Sequence, residues 1–224
     1  MRKQSTWLTV HEIFTALNDA GCIYAVLRNY ECMESGNPFT NGHDDIDIIC
    51  NDLKLVQNVL GVHRRFLFPA VNSYYAGFKD YRVNVDIRFV GDGYYDTLWE
   101  EDMLANRILF NDCIYVLDPI NYFYSLAYHA LLQKEHVSDD YQEKLLAMAK
   151  KLDVPCQSVQ ELPQILENYM DAKGYYYTIT KDPGIILKFE GVDKKRIKKN
   201  YFWLFRRHIL NLLRRNRRIA QKYV

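Results

Sequence analysis

Two short runs alternate so strictly that they dictate a sheet and the chemistry of one of its faces. In Asp44-Asp45-Ile46-Asp47-Ile48-Ile49-Cys50, Asp45 and Asp47 leave a strand on one side and Ile46 and Ile48 on the other, because successive side chains point to opposite faces. Further along, Arg82-Val83-Asn84-Val85-Asp86-Ile87-Arg88-Phe89 repeats the pattern, with Val83, Val85 and Ile87 apolar and Asn84, Asp86 and Arg88 opposite them. An adjacent strand of this kind would present Asp86 to the same point as Asp45 and Asp47. Aspartate is disfavoured in strands, and three carboxylates on one face repel one another unless a proton or a hard cation sits among them. A solvated sheet face explains one Asp-x-Asp. The third aspartate in a second β pattern favours a divalent ion, Mg²⁺ or Mn²⁺, with phosphate oxygens completing its shell.

The elements around these runs are legible from apolar spacing and caps. Val10, Ile13, Phe14 and Leu17 predict a helix over 9–20, with Thr9 and Glu12 in capping-box register and Gly21 ending it. A buried strand over 23–29 and a turn-rich loop over 31–44 then deliver the chain to the acidic strand. A second helix is expected over 52–60, followed by hairpins pairing 73–78 with 82–89 and 107–110 with 114–117. Asp118-Pro119 opens a third helix, and two more are expected over 138–152 and 158–172. The segment 175–190 is aromatic and turn-rich, with no assignable role. The expected organisation is an α/β (α+β) mixed sheet with flanking helices over 1–117, a helical domain over 118–193 and a basic amphipathic helix over 194–224.

Charge sharpens that last boundary. The 224 residues have a net charge of +1, but 194–224 contains twelve Lys or Arg and no Asp or Glu. The remaining 193 residues hold seventeen basic and twenty-eight acidic groups, a net of −11. Arginines interleaved with Tyr201, Phe202, Trp203, Phe205, Ile209, Leu212 and Leu213 suit an anionic membrane surface better than nucleic acid, since phosphate tracking does not require so many apolar side chains. Five cysteines without a CxxC pair indicate a reducing cytoplasm. The N-terminal residues lack the apolar core of a signal peptide and no stretch is long enough to span a bilayer, so the expected location is cytoplasmic, peripheral at the inner face of the membrane.

The run Asp45-Ile46-Asp47-Ile48, preceded by a helix and a strand and followed by Asp86 on a later strand, resembles the nucleotidyltransferase superfamily that includes polymerase-β-type enzymes. Ala25-Val26-Leu27-Arg28-Asn29-Tyr30-Glu31 is similar to bacterial nucleotidyltransferase-like proteins associated with surface polysaccharide synthesis. The resemblance implies a nucleotidyltransferase fold and Mg²⁺-dependent transfer from a nucleotide donor to a small-molecule acceptor, a sugar or glycan. Asp45 and Asp47 would hold the ion on the donor phosphates, and Asp86 would share a second ion or act as base toward the acceptor hydroxyl.

The superfamily's Gly-Ser or Gly-Gly pair ahead of the acidic strand is absent between Cys22 and Asp45. Arg28 and Asn29 occupy that place as candidate donor-binding residues, Arg28 with its planar fork and Asn29 as a substitute donor; a structural ion pair is the alternative for Arg28. Lys134 is a further candidate phosphate contact, while His129 reads as a core histidine. The tyrosine pairs at 74–75 and 94–95 and the triplet at 175–177 read mostly as packing. Two alternatives stay open: transfer of a phospho-alditol or phosphocholine from a CDP-linked donor, and a non-catalytic, antitoxin-like relative that binds a partner.

Overall fold

The structure, a computed structural model, describes residues 7–33, 45–64, 72–79 and 82–222, and their side chains apart from Cys32 and 214–222. The expected loop over 31–44 falls mostly outside these residues, as does Asp44. Seven strands, β1 (Tyr24–Val26), β2 (Asp45–Cys50), β3 (His63–Arg64), β4 (Ser73–Gly77), β5 (Arg82–Phe89), β6 (Ile108–Phe110) and β7 (Ile114–Val116), form one sheet in the order β3-β4-β5-β2-β1-β7-β6. The sheet is mixed. β2 runs parallel to β5 and β1 parallel to β7, while both predicted hairpins pair antiparallel. The short edge strand β3 has no alternating pattern of its own and was not expected.

Each face of the sheet has its own helical cover. On one, Ile46, Ile48, Val83, Val85 and Ile87 pack against Val10, Ile13, Phe14 and Leu17 of α1 (Val10–Asp19) and Val56 and Leu60 of α2 (Leu53–Leu60). These helices begin and end where their caps predict. Thr9 accepts the Glu12 N–H, Glu12 accepts the Leu8 N–H, Asp52 accepts from Lys54 and Leu55, and Gly61 closes α2 in the left-handed region at φ 59°.

The opposite face carries Ala25, Leu27 and Ile49 into a second apolar cluster with α3 (Thr97–Ala105), α4 (Pro119–Leu132) and α6 (Leu162–Lys173). α5 (Asp139–Lys151) packs on α4 through Leu145 and Ala149. The segment after α6 now has a role: Tyr175 stacks on Trp99 at 5.5 Å and Tyr177 on Tyr128 at 6.0 Å, completing this core. The helix α3 was missed from the sequence because it lacks an apolar stripe. Its buried set is Trp99, Glu100, Met103 and Leu104, and a buried glutamate masks the period.

The Glu100 carboxylate accepts the backbone N–H groups of Gly91 and Tyr95, while Asp92 accepts that of Tyr94. The loop from β5 to α3 is thereby held in one conformation, which aims Tyr94. The last helix, α7 (Tyr201–Lys222), is capped by Asn200, which accepts the Trp203 N–H. Among the described residues no helix is long and apolar enough to cross a membrane.

Candidate active site

The second sheet face is roofed by helices at Ala25, Leu27 and Ile49 but opens toward the start of β2. Register does the rest. Asp47 lies directly beside Asp86 in the parallel β2–β5 pair and Asp45 beside Asn84, so all three carboxylates emerge on the same face. One oxygen from each lies within 4.8 Å of the others. They form the floor of a cavity of about 440 Å³ whose lining also includes Arg28, Asn29, Lys134, Arg88, Tyr94 and His129. Every residue singled out from the sequence as a site candidate therefore lies on one cavity.

Electrostatics divides the three aspartates. Asp47 is buried and bound by Arg28 through Nε to Oδ2 at 2.7 Å and Nη2 to Oδ1 at 2.8 Å. Burial is the largest single influence and disfavours the Arg28 charge, but Asp47 together with Tyr94, Tyr95 and Tyr141 holds the guanidinium well above its ordinary pKa. Among the described residues Asp86 has no ion-pair partner at such distances. Burial and then the facing Asp47 carboxylate push its pKa up, against the weaker pull of Arg88, a Ser73 hydrogen bond and Arg28. A hard cation among the three carboxylates would relieve the repulsion between Asp47 and Asp86. The donor set is all oxygen, which suits Mg²⁺ or Mn²⁺. Arg28 does not close the site, since the two Asp47 oxygens offer about four lone pairs and the guanidinium uses two.

The ion-pair alternative for Arg28 is thus what the structure shows, although the side chain still lines the cavity. Asn29 takes a left-handed φ of 59° and its backbone N–H donates to the Tyr122 hydroxyl; this turn carries the chain out of strand register just after Leu27. Lys134 lies exposed on the rim, two residues past the end of α4.

His129 departs from a satisfied core histidine. Gln133 Nε2 donates to the Tyr94 backbone carbonyl at 3.1 Å, so Gln133 Oε1 is the atom 3.0 Å from His129 Nδ1. Two lone pairs cannot face each other at that distance, so Nδ1 carries the proton. The Tyr94 hydroxyl also lies 3.0 Å from Nδ1. The Nε2 atom is therefore bare, and it is buried with no partner among the described residues. Burial first, then the Arg28 charge, holds the ring well below its ordinary pKa and neutral.

Sequence reasoning passed over Arg88, Tyr94 and Gln133. Arg88 was recoverable, since it shares the face of Asp86 two residues on; it forms a buried pair with Asp182 at 3.1 Å and lies 4.3 Å over the Tyr94 ring. Tyr94 and Gln133 reach the site only through tertiary packing, and no local signal marks them.

No protein-family model and no curated protein matches the chain. Among solved structures, the chain is similar to the antibiotic-resistance factor ANT(2'')-Ia in solution, at 13% identity over 74% of this chain and 91% of that one with a TM-score of 0.38. It is also similar to the crystal structure of ANT(2'')-Ia with adenylyl-2''-tobramycin, at 10% identity, 73% and 96% coverage and a TM-score of 0.43. A third likeness is to an antigenic nucleotidyltransferase-like protein from Paracoccidioides brasiliensis, at 15% identity, 75% and 91% coverage and a TM-score of 0.43.

Proposed function

We propose that the protein transfers a nucleotidyl or related phosphate-linked group from a nucleotide donor to a hydroxyl of a small-molecule acceptor, a sugar or glycan. The observation that carries this reading is the convergence of Asp45, Asp47 and Asp86, with oxygens within 4.8 Å, on the floor of a cavity that also presents cations. A divalent ion bound there supplies charge neutralisation at the donor phosphates. Arg28 orients Asp47 through two hydrogen bonds. Asp86, with its raised pKa, is matched to receive the acceptor hydroxyl's proton. Lys134 on the rim, with Arg28 and Asn29 deeper in, provides donors for phosphate oxygens. In this reading 1–117 supplies the catalytic sheet, 118–193 its helical cover and 194–224 a separate basic helix. Three buried free thiols, Cys22, Cys50 and Cys113, accord with a reducing cytoplasm.

One observation favours a second reading. Arg28, standing where the superfamily's phosphate-binding pair would be, is committed to Asp47 by two hydrogen bonds, as a partner-binding relative without turnover would tolerate. Incubation with Mg²⁺, a radiolabelled nucleoside triphosphate or CDP-ribitol, and a panel of sugars separates the cases. Pyrophosphate release that is lost in Asp45→Asn supports nucleotidyl transfer. CMP release from CDP-ribitol moves the assignment to phospho-alditol transfer, and absence of any product with every donor supports the non-catalytic reading.

A further inference from the structure

The helix α7 docks on the protein through one side and leaves an apolar side exposed. Its inward stripe is Trp203, Arg206, Arg207 and Leu210, all partly buried. Trp203 packs so closely on Gly93 that a Cβ there would stand 2.5 Å from its ring, and Lys181 lies 4.6 Å over the same ring. Arg207 donates to the backbone carbonyls of Thr180, Asp182 and Ile185. The outward side consists of Tyr201, Phe202, Phe205, Ile209, Leu212 and Leu213, which are exposed, the three aromatics by 73%, 70% and 65%. These positions follow the i, i+3, i+4 spacing of one continuous face. Isolated exposed apolar residues need no explanation, but a contiguous aromatic and aliphatic stripe does.

We propose that this face of α7 inserts into an anionic membrane surface. Charge complementarity selects the occupant. The stretch 194–224 holds twelve Lys or Arg and no acidic residue, and Lys194, Lys195 and Lys199 are exposed just ahead of the aromatic end of the stripe, while Lys198 pairs with Asp96. Anionic lipid attracts such a segment by about 1 kcal/mol for each cation near the surface, and the apolar face gains burial at the headgroup boundary. A second copy is a poor occupant, because pairing α7 with itself brings like charges together. Nucleic acid would satisfy the cations but leave the aliphatic stripe in water. The helix also fastens the cavity: Arg207 holds the carbonyls of 180–185, Gly184 and Ile185 form part of the cavity wall, and Asp182 pairs with Arg88. A bilayer-bound α7 therefore keeps the acidic cavity at the lipid surface. This inference does not rest on the transferase reading.

The test is co-sedimentation of the full chain with vesicles of phosphatidylcholine alone or mixed with phosphatidylglycerol, in the absence of nucleotide. The wild type is expected to partition at least about tenfold more strongly onto the anionic vesicles, with the preference falling at high salt. The Phe202→Ser/Phe205→Ser/Leu212→Ser variant changes only exposed side chains, so it should fold and lose that binding by about tenfold or more. Equal weak partitioning onto both vesicle types, anionic binding unchanged in the variant, or a wild-type dimer that the variant dissociates would each overturn the proposal.

Discussion

The cavity floor and the outer face of α7 depart from ordinary residue placement in opposite directions. At the floor, charge is taken out of water: Asp47, Arg28 and Arg88 are buried, and each charge has a partner at hydrogen-bond distance. On α7, apolar rings are left in water, with a dense set of cations in the same stretch of chain. A buried ion is tolerable only while its partner remains. An exposed apolar stripe depends on no partner for the fold. Substitutions at the floor should therefore register in stability, whereas those on the helix face should register in binding alone.

The largest effect is expected within the floor, where two facing aspartates should behave oppositely. Asp47→Asn leaves the Arg28 charge buried without a counterion and should cost about 3–5 kcal/mol of stability. Asp86→Asn removes a carboxylate that burial and Asp47 already disfavour, so its melting temperature should equal or exceed that of the wild type. Both should lower metal-dependent turnover by about 10²–10³-fold, the scale of losing one charge-stabilising contact. Thermal denaturation beside a turnover assay separates the two. Equal destabilisation would break the comparison.

Next in size is the junction between the two regions. Gly93→Ala places a Cβ 2.5 Å from the Trp203 ring and 2.9 Å from the Ile179 carbonyl oxygen, at a φ of +76°. Left-handed backbone and overpacking together should cost about 2–4 kcal/mol, read by denaturant unfolding. A neutral result would show that α7 is not seated on the loop from β5 to α3.

A smaller, pH-dependent term belongs to His129. Its folded pKa lies well below the ordinary value of 6.5, so below pH 6.5 the unfolded chain binds the proton that the folded chain refuses. Stability is complete above pH 6.5 and falls as the pH drops below it, by at most about 1.4 kcal/mol for each unit. In His129→Gln the pH dependence over this window should flatten, and an unchanged slope would assign it to other groups. Smallest of all, Phe202→Ser on the exposed face of α7 should shift stability by no more than about 0.5 kcal/mol, measured by the same unfolding.

These expectations mark where sequence reading reached and where it stopped. Period-two alternation placed Asp45, Asp47, Asp86 and Arg88 on one face, because the parity of a strand is a local property, but it did not mark Arg88 as part of the site. Caps at Thr9, Asp52 and Asp118 located three helices for the same reason. The Tyr94–His129–Gln133 contacts join α4 to a loop stiffened by Asp92 and Glu100, and that meeting exists only in the packed chain. For α7, the amphipathic pattern was plain, and the apolar stripe faces outward. The docked side is chosen by Trp203 against Gly93 and by carbonyls that Arg207 satisfies, neither of which a hydrophobic period reports.

The central claim is that Asp45, Asp47 and Asp86 form a divalent-cation site for a phosphorylated ligand. Isothermal titration of Mn²⁺ into the wild type and Asp86→Asn, each with and without a nucleoside triphosphate, tests it most directly. Metal binding is expected to tighten with nucleotide and to be lost in Asp86→Asn while the variant stays folded. Metal binding of equal strength in both proteins, or none in the wild type with nucleotide present, would contradict it.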